Sequence, residues 1–155
     1  METSRFIVSA CLVAAFCFIF HISASRANPV RDDQSGLPPC PDSPNCVSSK
    51  SGHPGRAVAP LVFHGSTREA MECLKRVISA MKRTRIVHFD SRSLQAEFRT
   101  LLGFVDDVSF ELDAESGVIH MRSASRVGYW DMGVNRRRLE KIRRMMHHEC
   151  RRPAE

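Results

Sequence analysis

The sequence predicts an α+β domain, a four-stranded antiparallel meander with two amphipathic helices packed on one face of it. Three observations predict that arrangement. Apolar residues recur at helical spacing from Ala70 to Met81, with Leu74, Val77 and Ile78 between them. Four segments of alternating character follow between residues 85 and 126 with no helical stretch among them, joined by links as short as Ser91–Ser93. A second helical stripe, Met132, Asn135, Leu139, Ile142, Met146 and Cys150, closes the chain.

At 155 residues and 43% hydrophobic content the chain has the material for one domain with a real core. It begins with an apolar run from Phe6 to Ile22, preceded by Arg5 and followed by Ser23, Ala24, Ser25 and Ala27. A charged start, an apolar middle and small residues at the end make residues 1–27 a signal peptide. An N-terminal membrane anchor is the other reading, because the run approaches the ~20 residues that cross a bilayer. Cys11 is not a lipidation site, since the apolar stretch that should precede it is nearly missing. Both readings export the domain, to a periplasmic or membrane-anchored position on the extracytoplasmic side, with membrane association through residues 6–22.

Residues 28–60 are dense in Pro, Gly, Ser and Asp and nearly free of aliphatic side chains, so they read as an irregular lead-in. Within it Cys40 and Cys46 flank a proline-restricted loop, and in an exported chain a disulfide between them is expected. Free thiols and metal binding are the alternatives. His53 could supply a third ligand, but no second Cys/His pair at zinc spacing follows, so neither a metal nor a cofactor is expected.

The α+β domain proper is expected over residues 61–150, with 151–155 as a tail. Ser66 and Glu69, three apart, form a capping-box pattern that starts a helix running to about Lys82. Cys73 lies at the edge of its stripe and reads as a small hydrophobe. Cys150 could reach it if the two helices lie antiparallel, and the sequence leaves that pairing open.

In the strands, side chains alternate between faces. Leu94, Ala96 and Phe98, then Val108, Phe110 and Leu112, then Ile119 and Met121 share one face, which reads as core. Gln95, Glu97, Arg99, Ser109, Glu111, His120, Arg122 and Arg126 gather on the other. Asp106 and Asp107 must point to opposite faces, and Asp107 is on the polar one. That face is either a solvated surface of cross-strand charge pairs or an anion-binding surface on which arginines grip phosphate or carboxylate.

Most of the chemistry lies between Val118 and Arg138, read as a strand, a glycine-bearing turn and the start of a helix. Asp131 can cap that helix. Asn135 falls on the apolar stripe, where its amide needs partners, and the nearest are the hydroxyls of Ser123 and Ser125 or the backbone of residues 126–129. If the helix begins later, Asn135 is its N-cap instead. Arg136, Arg137, Arg138, Lys141, Arg143 and Arg144 lie opposite and beside the stripe, as a basic face toward solvent.

The formal charge of +6 falls only to +5 when residues 1–27, with two arginines and one glutamate, are removed. For an exported chain such a balance points to phospholipid head groups or envelope polymers, and no nucleic acid partner is expected.

The motifs Pro38-Pro39-Cys40-Pro41-Asp42-Ser43-Pro44-Asn45-Cys46-Val47-Ser48-Ser49, Ala96-Glu97-Phe98-Arg99, Phe104 to Val108, Ile119 to Gly128 and Asp131 to Arg136 occur in one order over most of the chain. In this the chain resembles the family catalogued as domain of unknown function 1499. The resemblance implies a small envelope-associated domain, commonly exported or membrane-tethered, with no established reaction. Two positions depart from the family's pattern. Gln95 stands where His is frequent and Trp130 where Ser is, which removes a histidine from that strand and leaves capping to Asp131 alone.

Two function classes follow. The first is a non-enzymatic binding or structural module for an anionic lipid, polymer or protein partner, using Arg99, Arg122, Arg126, Glu97, Asp107, Tyr129, Asp131 and Asn135. The second is a hydrolase-like enzyme in which Asp106 or Asp107 works with Glu97 as acid and base while arginines stabilise developing charge. The sequence shows no nucleophile–base pair, metal cluster or phosphate-cradling glycine loop, which favours the first.

Overall fold

A computed structural model describes residues 36–150. The expected signal or anchor at residues 1–27 and the tail at 151–155 lie outside the described residues. The elements are β1 (Cys46–Ser48), β2 (Leu61–Val62), α1 (Thr67–Ser79), β3 (Thr84–Phe89), β4 (Ser93–Arg99), β5 (Val105–Asp113), β6 (Val118–Ser125) and α2 (Val134–Glu149). This is an α+β architecture with two helices and one sheet whose strand pairs are all antiparallel.

The sheet is larger than the four strands expected. Its order is β1-β6-β5-β4-β3, with β2 also paired to β6. β1 meets β6 at Cys46 opposite Ala124, and β2 meets it at Leu61 opposite Ile119, so the two share the edge that β5 leaves open. The lead-in is therefore not irregular throughout. Strands of three and two residues are too short to show a period, and only their distant partner β6 gives them a ladder.

The inward residues of the strands are all buried, from Leu94, Ala96 and Phe98 through Val108, Phe110 and Leu112 to Ile119 and Met121. They form one cluster with Met71, Leu74, Val77 and Ile78 of α1 and Leu139, Ile142 and Met146 of α2. Val47 and Val58 of the lead-in join it.

Local chemistry sets the helix ends. Ser66 Oγ accepts the Glu69 amide at 3.2 Å while Glu69 Oε2 accepts the Ser66 amide at 3.1 Å, closing the capping box that starts α1. α2 begins after Gly133, whose φ of 75° suits a residue without Cβ. Met132 therefore precedes the helix and stands in solvent, not on the stripe. Disulfides join Cys40 to Cys46 and Cys73 to Cys150, with Cα separations of 5.6 and 5.9 Å. The second ties α1 to the end of α2, so Cys73 is a bonded cysteine and not merely a small core residue.

Candidate functional site

The residues singled out in the sequence do not converge on one site. Alternation along β5 divides them between the two faces of the sheet.

On the polar face three strands contribute to a charge network. Arg85 is in register with Glu97, and Glu97 with Asp107. Arg85 Nη2 lies 2.9 Å from Glu97 Oε2, and Arg126 Nη2 lies 2.7 Å from Glu97 Oε1. Arg126 also grips Asp107 with two nitrogens, Nη2 at 2.7 Å from Oδ1 and Nε at 3.0 Å from Oδ2. Hydrogen bonds from Arg126, and then from Arg85, hold the Glu97 carboxyl below the usual carboxylate range. The same contacts, with Asp107 first and Glu97 second, raise the Arg126 guanidinium above its ordinary value. Glu97, Asp107 and Arg126 are thus brought together, but as mutual partners.

Arg122 lies one row along, opposite Ser109 on one side and Ser48 on the other. The lead-in passes close to it, and its Nη2 reaches the Pro39 carbonyl at 3.5 Å while its Nε is buried with no partner among the described residues. Burial lowers its pKa, and the charge of Asp107 partly opposes that. Arg99 and Tyr129 are exposed at the end of the sheet where β4 stops and β6 leaves.

The other face holds what sequence reasoning only half saw. Asn135 is fully buried, and its amide is paired on both sides. Oδ1 accepts from Ser123 Oγ at 2.5 Å and Arg138 Nη1 at 2.7 Å; Nδ2 donates to the Asn45 carbonyl at 2.9 Å and to Ser125 Oγ at 3.0 Å. Asp131 accepts the amides of Gly133 and Asn135 at 2.8 and 2.7 Å, so it caps the first turn from outside the helix. Asn45 itself donates to the Gly128 carbonyl at 2.5 Å and accepts from Ser43 Oγ at 2.7 Å. Lead-in, turn and helix are knotted through two asparagines.

Arg138 corrects the expectation of a fully solvated basic face on α2. Its side chain is 8% exposed and ion-paired with Asp106, which is 2% exposed. Its guanidinium lies 5.0 Å from the centre of the Phe98 ring and donates to Ser123 Oγ at 2.9 Å. The parity of Asp106 with Val108 and Phe110 was the available signal. An inward carboxylate needs a compensating partner, and the closing helix carries several arginines that can supply one.

One further arrangement was not visible in the sequence. Ser49 Oγ lies 3.1 Å from His120 Nδ1, and His120 Nε2 lies 3.8 Å from Asp113 Oδ2. Ser49 Oγ also accepts the Met121 amide at 2.9 Å, and the Ser49 amide donates to the Met121 carbonyl at 2.9 Å, so the residue extends the β1–β6 ladder. The Asp113 carboxyl is held low chiefly by the Ser116 amide, and it accepts from Glu115 as well. A cavity of about 1170 Å³ lies away from all these groups, between residues 59–65, α1 and the end of α2, lined by Leu61, Phe63, Cys73 and Met146 among others.

No curated protein and no solved structure matches the chain. Residues 36–146, which include both the charge network and the buried knot, match the family described as Protein of unknown function (DUF1499), and the chain belongs to that family.

Proposed function

We propose that this chain is an exported, envelope-associated domain acting as a binding or structural module for an anionic partner. The observation that carries the reading is the internal neutralisation of the polar face. A general acid must hold a proton near neutral pH, and Glu97, with its pKa held down by two guanidiniums, does not. Arg126 in turn spends its donors on Asp107 and Glu97, not on a substrate. Cations without an ionic partner among the described residues gather at the end of the sheet, where Lys82, Arg83 and Arg99 are exposed. An anionic lipid, polymer or acidic protein would meet the domain there.

The two disulfides support an oxidising compartment. Thiol labelling in intact cells, followed by mass spectrometry without reductant, tests this. Cys40, Cys46, Cys73 and Cys150 should all escape the label; their uptake of it would remove the export reading.

A hydrolase is favoured by one observation, the approach of Ser49 to His120. A fluorophosphonate adduct on Ser49 that disappears in His120→Gln would replace the module reading with an enzyme.

A further inference from the structure

The end of the sheet where those cations gather also carries most of the exposed large apolar side chains among the described residues, Val62 and Val87 lying elsewhere. The turn between β4 and β5 holds Leu101 at 84% exposure, Leu102 at 83% and Phe104 at 51%. The loop between β6 and α2 holds Tyr129 at 74%, Trp130 at 65% and Met132 at 69%. Topology makes the two loops neighbours, since Asp106 pairs with Ser125 and the Arg126 amide donates to the Val105 carbonyl at 3.1 Å. Met132 adopts a left-handed φ of 53°, so the backbone accepts strain where it presents an apolar side chain to water.

Isolated exposed apolar residues need no explanation, but a cluster of leucines and aromatics on adjoining loops marks an interaction surface. Its charge selects the partner. Lys82 and Arg83 precede β3 at this end, where the Arg99 amide donates to the Arg83 carbonyl at 2.9 Å, and Arg137 donates to the Met132 carbonyl at 2.8 Å. None of these four cations is ion-paired among the described residues. The carboxylates nearby are already engaged, Asp106 by Arg138, Asp107 by Arg126 and Asp131 by backbone amides. Leucines to enter acyl chains, Trp and Tyr to sit at head-group level and arginines beside them match an anionic bilayer surface. The apolar run at residues 6–22, expected to act as export signal or as anchor, would bring the chain to a bilayer in either role.

We propose that these two loops form a bilayer-docking tip, inserting Leu101, Leu102, Tyr129 and Trp130 into the interface of an anionic phospholipid membrane while Lys82, Arg83 and Arg99 contact its head groups. The inference rests on the envelope-module reading and names the partner of that module. Trp130 is the chain's single tryptophan, so its fluorescence reports the tip regardless of how the N-terminus binds. The full chain is mixed with vesicles of phosphatidylglycerol and phosphatidylethanolamine, some carrying acyl-chain-brominated lipid. Trp130 emission should shift to the blue and be quenched by the bromines. Leu101→Ser/Leu102→Ser, shown to melt like the parent, should weaken this partition roughly tenfold. Vesicles of phosphatidylcholine alone, or the Lys82→Gln/Arg83→Gln/Arg99→Gln variant, should weaken it too. Vesicle-bound protein whose Trp130 emission stays water-like and unquenched overturns the tip. A blue shift that follows protein concentration without lipid overturns it in favour of a second copy of the chain. Neither result touches the cysteine labelling, so the tip can fail while the envelope reading stands.

Discussion

Asp106 and Asp107 are neighbours in the chain with opposite surroundings in the fold. Asp106 is closed off with Arg138, Asn135 and Ser123 beneath α2, while Asp107 shares Arg126 with Glu97 on the solvent face. Both are carboxylate–arginine pairs, and the difference lies in the water. A solvated pair contributes little, because water competes for both charges and salt screens them. A buried pair is not a source of great net stability either, yet removing one member strands the other charge without solvent. The inner pair therefore enforces one arrangement of lead-in, turn and helix; the outer one keeps a sheet face soluble.

The largest effect should come from breaking the inner pair alone. Asp106→Ala should lower the unfolding free energy by about 3–5 kcal/mol in denaturant titration, because Arg138 loses its counter-charge in a dry site. Asp107→Ala should cost only a small fraction of that. Equal losses would show that burial is not what distinguishes them. The comparison sharpens if Asp106→Leu/Arg138→Met restores much of the stability that either single change removes, as apolar replacement of a buried pair often does.

A smaller effect is expected at Asn135. Asn135→Asp keeps the shape but cannot donate to the Asn45 carbonyl and Ser125 Oγ, and should cost about 1–3 kcal/mol by thermal or chemical unfolding. A variant as stable as the parent would mean that the knot does not depend on the amide's donors.

The smallest concerns pH on the outer face. The folded pKa of Glu97 lies below its unfolded value, so its contribution is complete above about pH 4.3 and is lost as pH falls through the folded value. The melting temperature should hold from neutral pH to about 5 and decline below it, less steeply in Glu97→Gln. Identical acid profiles for parent and variant would show that the network adds nothing to stability.

Much of this was legible in the sequence. Period-two alternation assigned the inward residues of β4, β5 and β6, and the same parity separated Asp106 from Asp107. The stripe position of Asn135 demanded partners, and Ser123 and Ser125 were the nearest. What was missed lies at long range. Asn45, ninety positions from Asn135, supplies an acceptor through its backbone. Arg138 reads as one of several outward arginines until Asp106 pulls it in. The three residues of β1 carry no periodic signal at all.

The sequence by itself determined which residues face inward and where α1 starts, because alternation and capping act within one or two turns of the chain. It also determined that the chain is basic and that Cys40 lies close enough along it to bond with Cys46. Only the tertiary structure decided that Arg126 is neutralised, that Cys73 meets Cys150, and that the 101–104 and 127–132 loops lie side by side. Each of those depends on which distant segments pair across the sheet, and residue spacing along one segment carries no information about its partner.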